Sequence, residues 1–203
     1  MSYLIRSRSA PPSVAVLTFD ERRVPRTLRG LPRTDLDGIE TWRRVVVVGS
    51  RADLGRVLTA LLRADRLDVE VAHVWRAFGA RRALHATATR VPLIRDETGV
   101  VLVEAALWRP PEGQRTLRGE AVVDDTVLFD GEVAEVRIEP TATMPGLRAA
   151  VLTGRPRRWV AGRAAQLGTT GALVVRDGVQ GPRPVRRSTF YRHTQGWLRV
   201  GRR

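Results

Sequence analysis

The chain has 203 residues, 43% hydrophobic and 28% charged, a balance that supports a folded core and excludes an intrinsically disordered protein. It has no cysteine, which excludes disulfides, thiolate metal sites and a cysteine nucleophile. All 35 basic residues are arginine against 21 acids, and the net charge of +14 favours anionic partners: nucleotides, nucleic acid or acidic lipid headgroups.

The opening residues, MSYLIRSRSAPPSVAV, lack the continuous apolar core of a signal peptide. No apolar run approaches the ~18 residues that a transmembrane segment needs. A cytoplasmic protein is expected, with a basic surface compatible with peripheral attachment to a membrane. Residues 1–42 hold one strand, Ser13 to Phe19, then an Arg/Pro-rich linker or flap.

Residues 43–90 carry the signature of an α/β unit. The valines of Arg44 to Val48 predict a strand buried on both faces, as in a parallel sheet. Ser50 is a good N-cap with Asp53 three residues on, close to a capping box. Leu54, Val57, Leu58, Leu61 and Leu62 form one apolar stripe on a helix ending near Arg63. LDVEVAHV is a second strand, and strand–helix–strand predicts a right-handed crossover. RAFGARRALHATATR is expected to be helical.

Residues 91–203 change character. VPLI-RDETG-VVLVEAALW predicts a hairpin, and a second is expected around Asp130-Gly131. A third Gly turn falls at Asp177-Gly178 and a last one at Thr194-Gln195-Gly196. Short strands with regular Gly turns indicate an antiparallel β-sandwich. The fold class is therefore α+β: an N-terminal α/β part with a partly parallel sheet, followed by the sandwich.

Several residue groups could carry function. Gly49, Ser50 and Arg51 stand at a helix N-terminus, where backbone N–H groups and a cation can meet a phosphate, with Arg81 and Arg82 as supporting charges. The turn matches neither G-x-G-x-x-G nor the P-loop, so a plain strand-to-helix turn is the other reading. His73, His85 and His193 are isolated and predict no metal site; His73 shares a strand face with Val69 and Val71 and is expected to be semi-buried and hydrogen-bonded. Asp124, Asp125, Asp130 and Glu132 could bind a cation or act as acid and base, or simply cap turns. Arginines alternate with aromatics near the C-terminus: Trp159 beside Arg157 and Arg158, then Arg186, Arg187, Tyr191, Arg192 and Trp197. That pattern suits a single-stranded nucleic-acid platform, or a sandwich core with arginines facing water.

Three stretches, VVVVGSRADLGRVLTALL, DDTVLFDGEVAEVRIEPTATMPGLRAAVL and GRAAQLGTTGALVVRDGVQGPRPVRRSTFYRHTQGWLRV, resemble the diacylglycerol kinase, sphingosine kinase and NAD kinase superfamily. The resemblance covers about residues 43–203. It implies an α/β nucleotide domain followed by a sandwich that carries the second-substrate site. Where the family has Gly-Gly-Asp-Gly-Thr, this chain has Gly49-Ser50-Arg51-Ala52-Asp53. No Gly-Thr-Gly-Asn-Asp loop follows VEVAHV, and the family's sandwich acid would fall at Met144-Pro145-Gly146. The resemblance therefore implies a divergent, non-catalytic relative that binds a phosphate-bearing ligand, an acidic lipid or a protein partner in the cleft between its parts. No catalytic residue, metal or obligate cofactor is assigned; a nucleotide is the ligand the fold would bring. The alternatives are an Arg-rich nucleic-acid-binding module and an enzyme with a rebuilt acidic site at Asp124 and Asp125. An enzyme on this fold would be a lipid- or nucleotide-dependent kinase-like transferase.

Overall fold

The valine run forms the centre of a five-stranded sheet in the computed structural model, which describes residues 13–19, 22–75, 79–152 and 158–201. The strand order is β1 (Val14–Thr18), β2 (Arg44–Val48), β3 (Glu70–Val74), β16 (Trp197–Val200) and β4 (Ala88–Val91). The first four are parallel and β4 runs antiparallel to β16. All five residues of β2 are buried, as the β-branched run requires.

Helix α1 (Arg51–Arg63) crosses from β2 to β3, and Leu54, Val57, Leu58 and Leu61 of its stripe are buried against Val45, Val47 and Val71. Leu62 stays half-buried at the edge of that cluster. Arg44 is 5% exposed. Its guanidinium donates to the carbonyls of Ala83, Leu84 and Ala86 and pairs with Glu70 at 2.6 Å. The charge inside the buried strand thus closes the C-terminal end of α2 (Ala80–His85). The expected longer helix stops at His85, and Ala88 to Val91 is strand instead; residues 76–78 lie outside those described.

The stretch expected as a linker is packed. Val16 donates to Pro32 O and accepts from Thr34 N, so residues 32–34 cover the exposed edge of β1. On one side of that edge Val24 and Leu28 join Val46, Val48 and α2; on the other, Ile39 joins the α1 cluster. One irregular segment therefore covers part of both sheet faces.

The remaining strands form an eleven-stranded antiparallel sheet: β5 (Ile94–Asp96), β6 (Val101–Leu102), β7 (Ala106–Arg109), β8 (Leu117–Val123), β9 (Thr126–Val133), β10 (Val136–Pro140), β11 (Leu147–Val151), β12 (Val160–Gly162), β13 (Ala164–Arg176), β14 (Val179–Gln180) and β15 (Val185–Arg192). The long β13 pairs with β8 and β15 through its first half, then with β7 and β14 through its second, with a register shift between Gly168 and Ala172. That irregularity lets one strand serve both layers. Trp108 and Phe190, both fully buried with ring centroids 6.2 Å apart, anchor the core between them.

Two turn expectations are corrected. The hairpin of β8 and β9 turns at Asp124-Asp125, not at Asp130-Gly131, which lies inside β9 opposite Glu120 and Gly119. Asp124 has φ 49° and its carboxylate accepts from the backbone of Arg163 and Ala164, so tertiary hydrogen bonds hold the turn there. The Thr194-Gln195-Gly196 link closes no hairpin: β15 pairs with β5, and the chain returns to insert β16 between β3 and β4. The expectation that everything after residue 91 belongs to the sandwich fails at that strand.

Candidate functional site

Parallel strands present their carboxyl ends along one edge, the usual crevice for a ligand in an α/β sheet. Here β2 ends in Gly49-Ser50 and β3 ends in His73, Val74 and Trp75. Opposite stands the sandwich, through Leu102, Val103 and residues 140–142. Between them lies a cavity of about 290 Å³, lined on the polar side by Arg51, His73, Thr141 and Arg199 and on the apolar side chiefly by Leu54, Leu58, Val91 and Trp197. A second hollow of about 440 Å³ adjoins it through Arg51 and His73 and reaches Ser50, Trp75, Glu104 and Asp177.

The turn itself is already supplied with an anion. Asp53 Oδ2 accepts from Ser50 N and from Ser50 Oγ, each at 2.7 Å, while Asp53 N donates to Ser50 Oγ at 3.1 Å. The capping box is complete. A Cβ on Gly49 would stand 2.8 Å from Asp53 Oδ2, so glycine is needed there to make room for the carboxylate. Arg51 pairs with Glu104 at 3.0 Å, both half-exposed, which ties the helix start to the sandwich by an exchangeable bridge.

His73 Nε2 donates to Gly49 O at 3.0 Å, which leaves Nδ1 as the acceptor nitrogen of the neutral ring. Burial, then the nearby Arg51, lower its pKa from the usual histidine range, opposed by that carbonyl. Asp177 was legible only as a turn residue. Its carboxylate accepts from the backbone N–H groups of Val103, Glu104 and Ala105 at 2.9, 2.6 and 3.1 Å. Burial raises its pKa against those hydrogen bonds. It packs under Gly55 of α1, where a Cβ would meet it at 3.4 Å. A hairpin residue of the sandwich thus shapes the wall of the cleft.

The structure separates the other candidates. Arg82 lines a different hollow with Thr87, Thr89 and Gly201, joined to the cleft only through Arg199; Arg81 is exposed on the same helix. On β15, Ser188 and Phe190 point into the core, with Arg187 and Tyr191 on the opposite face. Tyr191 is covered by Arg95 at 4.5 Å, and Arg192 donates to Pro145 O. Arg186 is exposed near the start of the strand, and Trp197 belongs to the other sheet and lines the cleft. These five residues do not make one platform. Trp159 lies beneath Arg148 at 4.2 Å, and Arg157 is outside the described residues. Asp124 is engaged with backbone and Asp125 is exposed, so the two form a turn and not a paired acid site.

This chain, whose small parallel sheet takes its fourth strand back from the antiparallel sandwich, shares its fold with solved NAD kinase and putative diacylglycerol kinase structures. An NAD kinase from Archaeoglobus fulgidus in complex with ATP is 13% identical, with 93% of each chain covered and a TM-score of 0.64. Two structures of putative diacylglycerol kinases from Bacillus anthracis str. Sterne are each 9% identical, cover 96% of this chain and 99% of theirs, and give TM-scores of 0.73 and 0.71. The sequence matches no protein-family model and no curated protein. Among the described residues no helix is long and apolar enough to cross a membrane.

Proposed function

We propose that this chain is a non-catalytic binding protein on the lipid-kinase/NAD-kinase fold, taking a phosphate-bearing ligand with an apolar portion in the cleft between its two parts. The observation that carries this reading is the cavity itself, which Arg51 and Arg199 line together with Leu54, Leu58, Val91, Leu102 and Trp197. Such a pairing of a few convergent polar groups with apolar walls suits an amphipathic anion. The Archaeoglobus fulgidus NAD kinase was solved with ATP, which supports a nucleotide as one candidate.

One feature supports binding without phosphoryl transfer. The carboxylate of Asp53 occupies the turn where a phosphate would meet backbone N–H groups, and phosphoryl transfer depends on positioned phosphate-binding groups.

Thermal unfolding with ATP, NAD and phosphatidic-acid vesicles tests the proposal. At least one should raise the melting temperature, and Arg51→Glu should abolish the rise. The absence of any shift overturns the binding reading. Phosphate transfer from ATP to lipid or NAD in the presence of Mg²⁺ overturns the non-catalytic one.

A further inference from the structure

The face of α1 turned away from the sheet borders a hollow of about 650 Å³, closed on its other side by β6 and by the hairpin of β13 and β14. We propose that this hollow holds a fatty acid, with its carboxylate on Arg176 and its alkyl chain along α1, independent of the ligand proposed for the cleft.

The carboxylate end rests on the way Arg176 is held. Its side chain is 22% exposed, and its Nε meets Asp96 Oδ2 at 2.5 Å. Asp96 is fully buried, with Oδ1 taken up by Thr98 and Val100. The guanidinium also lies 5.9 Å from the centroid of the Phe190 ring. Nη1 and Nη2 have no hydrogen-bond acceptor among the described residues. A Cβ on Gly181, which lines the hollow, would stand 3.7 Å from Nη1, so this end of the fork reaches the hollow's wall. A guanidinium fixed at one edge and open at the other offers two parallel donors, which match the two oxygens of a carboxylate. Because the group is already held, little side-chain entropy is lost when an acid binds it.

The alkyl part follows from the walls. Leu36, Val100, Val101 and Val179 are aliphatic, and no aromatic side chain lines the hollow among the described residues. Helix α1 contributes Ala52, Gly55 and Ala60, whose small side chains leave the space open. From Ala52 to Arg63 this lined face runs about 16 Å, long enough for an extended acyl chain. Val179 is 60% exposed, and a chain in the hollow would cover it. The volume falls within the usual range of small-molecule sites. Asp37 and Asp177 also line the hollow, and two carboxylates there penalise a doubly charged phosphate head more than a single carboxylate.

Calorimetric titration of the full chain with dodecanoate, dodecanol and dodecyl phosphate tests the proposal. One dodecanoate should bind per chain, about tenfold or more tighter than either relative. Arg176→Lys keeps a cation for Asp96 but loses the fork, and should weaken dodecanoate by about tenfold. Val179→Glu sets a like charge at an exposed position of the wall and should also weaken it; this variant decides the matter if Arg176→Lys does not fold. Arg51→Glu, in the cleft, should leave the affinity unchanged. No dodecanoate binding overturns the proposal, as does uptake of several molecules per chain. Equal or tighter binding of dodecanol removes the carboxylate from the site, and tighter binding of dodecyl phosphate assigns it to another head; either result overturns the assignment. Loss on Arg51→Glu moves the ligand to the cleft and overturns it too, as does unchanged affinity in Val179→Glu.

Discussion

Asp53 Oδ2 sits 2.7 Å from the backbone nitrogen of Ser50, so the strand-to-helix turn carries its own anion. The same carboxylate excludes a side chain at Gly49. Asp53→Ala should cost about 1–2 kcal/mol through loss of the cap. Gly49→Ala should cost about 1–3 kcal/mol from overpacking against Asp53. In the double variant much of the second penalty should vanish, and urea unfolding of the four proteins measures that coupling.

Trp108 Nε1 donates to Ser188 Oγ at 3.0 Å, with both residues buried in the sandwich core. Ser188→Ala strands the indole N–H without an acceptor, so stability should fall by about 1–3 kcal/mol. A loss below a few tenths of a kcal/mol would show that the pair contributes little.

Histidine titration should weaken the fold in acid. The pKa of His73 is lowered chiefly by burial and that of His193 likewise, so the unfolded chain binds more protons than the folded one below the ordinary histidine value of about 6.5. Stability is therefore full above that value and falls as the pH drops toward the lowered folded values. His73→Gln keeps a donor for Gly49 O and removes the titration. Its stability difference between about pH 5 and pH 7.5 should be smaller than that of the wild type. An unchanged difference in denaturation midpoint would assign the acid effect elsewhere.

A Cβ on Gly196 would overlap the carbonyl oxygen of Val91. Gly196→Ala should therefore cost about 1–3 kcal/mol and act on the docking of β16. Hydrogen exchange should quicken in β16 and β4 while the amides of β8 and β13 keep their protection. Uniform loss across both sheets would show instead that the two parts unfold as one unit.

Local chemistry made the crossover unit legible. The valines of β2, the Ser50 cap and the stripe from Leu54 to Leu61 appear in the structure as the sequence implies, because each signal lies within one element. The Asp177-Gly178 turn was legible for the same reason. Asp130-Gly131 misled because its turn signal competes with Asp124, whose carboxylate is held by Arg163 and Ala164 some forty residues away. At the candidate site, Gly49, Ser50 and Arg51 were legible as a helix start; Trp197, Arg199 and Asp177 were not legible as parts of its walls.

By itself the sequence determined the α+β class, the parallel crossover, the antiparallel character of the later strands and the positive charge of the surface. These follow from periodicity, capping and composition, which act over a few residues. Only the tertiary structure decided that β16 returns to the first sheet and that residues 22–42 cover part of both its faces. Those outcomes depend on burying apolar faces between segments far apart in the chain, and no local pattern records which distant face completes which core.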